Sequence, residues 1–177
     1  QDETWHEVLR LICGMIDEKI AGILISYLMS EETWEYKYIH LFLAAECLHE
    51  VKNRSTLTEI STALLGDMKS LVDGLSFSEE ASLDVYDFAQ IGVAQEARLI
   101  SQIWKDDPDT LFWLKACAEL DYGSEYMIGV RLEAIQGLIR DWKDNPDTLL
   151  LLETCAQYDA SVWLRQTVVK EIAKGLR

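Results

Sequence analysis

Glu46-Cys47-Leu48-His49 sets a carboxylate and an imidazole three positions apart, so on a helix both would reach the same face, as they do in carboxylate-bridged di-iron centres. Such a centre needs a second Glu-x-x-His, and the only other histidines are His6 and His40. A solvated helix end is the simpler reading. Asp106, Asp107 and Asp109 crowd together but lack the glycine and terminal glutamate of a calcium loop, and helix capping accounts for them. The four cysteines, Cys13, Cys47, Cys117 and Cys155, include no Cys-x-x-Cys pair, which argues against zinc and against a disulfide-stapled secreted domain. Free intracellular thiols are expected. Carboxylate pairs suited to acid–base work abound in so acidic a chain and single out nothing. There is no suggestion of a Ser-His-Asp triad, and no Gly-x-x-x-x-Gly-Lys-Ser/Thr phosphate cradle occurs. No catalytic residue, cofactor site or metal ligand is assigned, and the chain is read as non-enzymatic.

The elements that must position any other site are helices. The 177 residues are 49% hydrophobic and 27% charged, enough for a well-buried core, while 9 Gly and 2 Pro are too few for the turns of a sandwich or barrel. With 16 Lys and Arg against 31 Asp and Glu the net charge is −15, a field that repels phosphate backbones and anionic lipid. Nucleic acid and membrane are therefore disfavoured as partners, and protein remains. No stretch of about 18 apolar residues and no basic-then-apolar leader is present, so neither a membrane span nor a signal peptide is predicted, and a cytoplasmic location is expected. The chain opens Gln1-Asp2-Glu3-Thr4 without Met and enters a helical pattern by Trp5, as a piece of a longer polypeptide would.

A repeat organises the second half. Trp104-Lys105-Asp106-Asp107-Pro108-Asp109-Thr110-Leu111 returns as Trp142-Lys143-Asp144-Asn145-Pro146-Asp147-Thr148-Leu149, matching at seven of eight positions with an offset of 38. Leu114, Cys117, Ala118 and Asp121 keep that offset to Leu152, Cys155, Ala156 and Asp159. The register then shifts to 34, pairing Arg131 with Arg165 and Leu138 with Ile172, so four extra residues lie within Tyr122–Ile128. Asp107 and Asn145 suit an N-cap, and Pro108 and Pro146 suit the first helical position, where the missing N–H costs nothing. Each unit then reads as a helix to about Leu120 or Tyr158, followed by a second over roughly Glu125–Trp142 or Ser161–Gly175. Cys117 and Cys155 hold equivalent apolar positions, which points to packing. Upstream, Thr56–Val72 and Ala81–Trp104 form a divergent earlier unit around an exposed connection near residues 73–81, preceded by helices at about Trp5–Ile16, Lys19–Met29 and Tyr36–Val51.

The predicted organisation is all-α: a helical segment over 1–55, then HEAT-like hairpins over 56–104, 105–142 and 143–177 stacked as an α-solenoid. Tetratricopeptide spacing of Trp, Gly, Tyr, Ala and Pro is absent. Asp159 and Arg165 flank the turn between helices as in HEAT units, and Asp121 and Arg131 do so across the insertion. An Asp of one turn is expected to pair with an Arg of a neighbouring unit, aligning hairpins and capping a helix.

The Trp-Lys-Asp-Asp-Pro-Asp-Thr-Leu run, with its turn Asp and Arg-containing second helix, resembles the C-terminal helical repeats of bacterial NACHT-family NTPases, a branch of the STAND signalling ATPases. Trp5-His6-Glu7-Val8-Leu9-Arg10-Leu11-Ile12, Leu41-Phe42-Leu43-Ala44-Ala45-Glu46-Cys47-Leu48 and Val51-Lys52-Asn53-Arg54 look like the helical region preceding those repeats. Phe112 and Leu150 depart from the family by standing where proline is usual. The resemblance implies a non-catalytic region beyond an ATP-hydrolysing module, serving protein recognition, sensing or autoinhibition, including in antiviral defence.

The repeat register also yields a candidate surface. Second-helix positions outside the apolar stripe are Gln95, Arg98 and Gln102, then Glu133, Gln136 and Arg140, then Thr167, Lys170 and Lys174, which would line the inner curve of the stack. Four cations stand against one carboxylate, a basic ribbon on an acidic protein that suits an acidic segment of the parent chain or of a partner. An ordinary solvated helix face is the competing interpretation. Tyr122, Glu125 and Tyr126 in the insertion form a second candidate, a recognition loop, with loop padding as its alternative. A stand-alone HEAT scaffold, or a HEAT-type enzyme such as a bilin lyase or an alkyl-base glycosylase, are the other classes considered. The glycosylase would need a broad basic concave face, which the net charge opposes.

Overall fold

The computed structural model describes the backbone of residues 3–30, 34–76, 94–95, 97–119 and 127–175, and all regular structure in these residues is helical. The chain divides into two compact units, Gln1–Asp73 and Gly74–Arg177. The division falls inside the 56–104 segment read above as one repeat.

The first unit holds α1 (Glu3–Met15), α2 (Glu18–Met29), α3 (Trp34–Glu50), a 3-10 turn (Arg54–Leu57) and all but the last turn of α4 (Thr58–Ser76). Asp17 caps α2, its carboxylate accepting the Lys19 N–H at 2.9 Å, with Glu18 in the first turn favoured by the helix dipole. Ala21, Ile25 and Leu28 recur at helical spacing on α2 and are buried. On α3, Leu41, Ala44, Ala45 and Leu48 are buried, and the helix packs on both α1 and α2. Gly22 marks a close approach: a Cβ there would lie 2.8 Å from Leu57 Cδ2 and 3.1 Å from Ile60 Cδ1. α4 runs to Ser76, through Gly74, where the connection was expected to have begun. A glycine costs only about 1 kcal/mol in a helix, and no proline follows to stop it. The expected connection beyond residue 76, and the start of the next helix, lie outside the described residues.

The second unit contains α5 (97–103), α6 (Pro108–Ala118), α7 (Met127–Asp141), α8 (Pro146–Tyr158) and α9 (Val162–Gly175). Both prolines sit at helix starts. Asp107 accepts the Asp109 N–H at 2.8 Å, and Asn145 accepts those of Asp147 and Thr148 at 3.1 Å. The turns before them match: the Asp107 N–H bonds to the Trp104 carbonyl at 3.1 Å, and the Asn145 N–H to that of Trp142 at 3.0 Å. Thr110 and Thr148, and likewise Cys117 and Cys155, are buried at equivalent places. α6 packs on α7 and α8 on α9, with α7 also against α9. Arg131, near the start of α7, reaches the carbonyl of Ala118 at the end of α6, which makes that pair antiparallel. Among the described residues no helix is long and apolar enough to cross a membrane.

Candidate protein-docking surface on α5, α7 and α9

Small side chains bring α5 and α7 together. A Cβ on Gly137 would lie 2.8 Å from Ser101 Cβ and 3.5 Å from Leu114 Cδ1, and one on Gly129 would lie 3.4 Å from Ala94 Cβ. Ala94, ahead of α5, thus lies by Gly129 near the start of α7, and Ser101 late in α5 lies by Gly137 late in α7, so the two helices run parallel. The buried Ser101 hydroxyl donates to the Arg98 carbonyl at 2.8 Å and accepts from Arg140 Nη2 at 2.9 Å, stitching the crossing.

The Arg131–Asp159 pair organises the other flank of α7. Arg131 Nη2 donates to Asp159 Oδ2, while its Nε donates to the Ala118 carbonyl at 3.1 Å. Both side chains are almost sealed from water, 3% and 0% exposed, so their Coulomb attraction is little screened. Asp159 Oδ1 also accepts the Ser161 N–H at 2.9 Å, and the Ser161 hydroxyl accepts the Leu164 N–H at 3.2 Å, which starts α9. One carboxylate thus joins a helix of one hairpin to the turn of the next. Lys115 of α6 makes a weaker link, 3.5 Å from both Asn145 Oδ1 and Asp147 Oδ2 at the start of α8.

On the ribbon, Gln95, Arg98, Gln102, Arg140, Lys170 and Lys174 are exposed, and Glu133, Gln136 and Thr167 are half-buried. Burial raises the Glu133 carboxyl above its ordinary range, opposed by the nearby charges of Arg98 and Arg140. Those three side chains therefore act on one another. Two of the four cations are already engaged: Arg140 binds Asp141 Oδ2 through Nε at 2.8 Å, and Lys174 meets Glu171 Oε1 at 2.5 Å. Asp141 and Glu171, which repeat register alone leaves out, reduce the strip from three net positive charges to one. Among the described residues Arg98 and Lys170 form no ion pair, and no hydrogen bond or ion pair ties Lys170 or Lys174 to the Arg98–Glu133–Arg140 group.

The remaining candidates are placed as follows. Trp104 is buried and Trp142 half-buried, each ending its helix, while Pro108 and Pro146 are exposed. Arg165 is half-buried and its Nη1 donates to the Asp159 and Ala160 carbonyls. Asp121, Tyr122, Glu125 and Tyr126 lie outside the described residues. In the first unit, Glu46 faces Arg10 at 3.8 Å while His49 is exposed, and Arg10 also meets Glu50 at 3.2 Å and Glu7 at 3.3 Å. Burial pushes the Cys13 and Cys47 thiols up, and the two interact as hydrogen-bonding neighbours, both free. Cys155 is likewise raised by burial. Protonated, buried thiols of this kind are poor nucleophiles.

Sequence reasoning missed Ser101, Gly137 and Lys115. Ser101 and Gly137 carried a readable signal, since a small residue on each of two facing helices permits close approach. Lys115 carried none, because its reach depends on how α6 crosses α8. Compared with protein families, curated proteins and solved structures, the chain finds no match.

Proposed function

We propose that the chain is the helical-repeat, protein-recognition region of a NACHT-like signalling NTPase, with no catalysis of its own. In this reading α6–α7 and α8–α9 are HEAT-like hairpins stacked as an α-solenoid, and the strip on α5, α7 and α9 holds an acidic segment of the parent chain. The repeat motif supports the family, and the buried Arg131–Asp159 pair between successive hairpins supports the stacking. The observation that carries docking is the exposed Arg98, which forms no ion pair among the described residues, beside a half-buried Glu133 and the exposed Arg140.

Physical chemistry favours a tethered ligand over a separate one. At −15, the chain repels a free acidic partner at long range, whereas a segment of the same polypeptide meets the strip at an effective concentration of about millimolar. Autoinhibition is therefore the preferred mode. The test is Arg98→Glu with Lys170→Glu in the parent protein, which spares the Arg140–Ser101 contact and hence the fold. A rise in basal nucleotide hydrolysis, together with loss of binding between this region and the rest of the protein, is expected. Unchanged hydrolysis and binding would remove the docking reading. A coding sequence upstream of Gln1 that lacks a P-loop would remove the NTPase assignment.

A further inference from the structure

The outer flank of α9 is built to receive another hairpin. Along α7, which packs on α9, Ile135 and Ile139 follow at single-turn intervals from Arg131, the residue that reaches the α8–α9 turn, and are 0% and 9% exposed. With the offset of 34 their counterparts on α9 are Arg165, Val169 and Ala173, and Ile128 corresponds to Val162. Here the burial is reversed. Val169 is 52% exposed and Val162 56%, and Ala173 is exposed as well. A repeat array that stops at its own boundary normally carries a polar outer face on its last unit, because an apolar one stays in contact with water. α9 instead keeps the apolar residues of an internal helix.

The charged half of the junction is prepared too. Arg131 spends one donor on a carbonyl of its own hairpin, that of Ala118, and another on the carboxylate of the next turn, Asp159. Arg165 likewise donates to carbonyls of its own hairpin, through Nη1 to those of Asp159 and Ala160 in the turn, rather than to the helix-end carbonyl equivalent to that of Ala118. Among the described residues no carboxylate answers it.

We propose that the α9 flank formed by Val162, Arg165, Val169 and Ala173 is a docking face for one further helical hairpin of this repeat type, whose turn aspartate pairs with Arg165 as Asp159 pairs with Arg131. The complementary chemistry is a turn Asp followed by apolar residues five and nine positions on, as Leu164 and Val168 follow Asp159; both are fully buried. The inference shares the stacked-hairpin arrangement with the proposed function but is independent of the basic strip.

The experiment extends the full chain after Arg177 with a second copy of residues 143–177. Stacking predicts a thermal midpoint higher by at least about 5 °C and amide exchange in α9 slowed about tenfold, since a new interface adds to a neighbour-coupled array. Changing the aspartate of the appended turn to asparagine, or Val169→Asp in the extended chain, should abolish most of the gain. Arg98→Glu with Lys170→Glu should leave the gain intact, so failure here and failure of strip docking are separable. An appended copy that exchanges as unfolded chain, with the midpoint unchanged, would overturn the proposal. So would concentration-dependent dimerisation of the unextended chain that Val169→Asp abolishes, because the face would then belong to a second copy.

Discussion

Replacing Asp159 with alanine tests whether a buried ion pair fastens successive hairpins. The substitution removes the Asp159 carboxylate from the Arg131 guanidinium, 3% exposed, and takes away the acceptor of the Ser161 N–H at the start of α9. Removing one partner of a buried pair costs about 3–5 kcal/mol, and losing a helix cap adds about 1 kcal/mol. Against a total stability of about 5–15 kcal/mol this is a large fraction. For a chain of this size it corresponds to a fall in thermal midpoint of about 10–20 °C. Circular dichroism during heating and urea titration reads the loss, and hydrogen exchange should localise it to α7 and α9 rather than to α1–α4. Replacing both partners, Arg131→Met with Asp159→Leu, should cost less than the two single substitutions added together, because no charge is then left buried without its opposite. A single-variant cost under about 1 kcal/mol, the value of an exposed pair, would refute the reasoning. So would a double variant whose cost equals the sum of the singles.

Gly137→Ala would press a methyl group into Ser101 at the α5–α7 crossing; despite the better helix propensity of alanine, a loss of about 1–3 kcal/mol in urea denaturation is expected, and a gain would disprove the close approach. Glu133 in the folded chain keeps its proton to higher pH than the ordinary 4.5, so the stability it lends is present below that value and is lost as pH rises through the folded pKa. Glu133→Gln should therefore gain on the wild type in thermal midpoint as pH rises from about 4 to 7, and a widening deficit would reverse the assigned cause. Thr110 and Thr148 each bury a hydroxyl that finds no partner among the described residues, so the shape-conserving Thr110→Val and Thr148→Val should each stabilise by about 0.5–2 kcal/mol in equilibrium denaturation. A loss at both positions would show that the hydroxyls are satisfied.

The helical class and the hairpin starts were legible because their causes are local. Asp107-Pro108 and Asn145-Pro146 combine a side-chain acceptor with a ring that fixes φ, and these act within one turn whatever surrounds them. The equivalence of Cys117 with Cys155 and of Arg131 with Arg165 was legible from recurrence. Which cations of the strip are uncommitted was not, since Asp141 and Glu171 compete for Arg140 and Lys174 through side-chain geometry that no spacing encodes.

Residue order alone thus set the helical class, the Asp107 and Asn145 caps and the periodic apolar faces, because hydrogen bonding within a turn and the 3.6-residue period depend only on neighbours along the chain. Packing decided the rest: that Arg131 meets Asp159 out of water while Arg165, the same residue one unit later, meets no carboxylate among the described residues. Burial and ion pairing arise from which surface lies opposite, and two identical side chains acquire different chemistry when, among the described residues, a carboxylate lies across from only one of them.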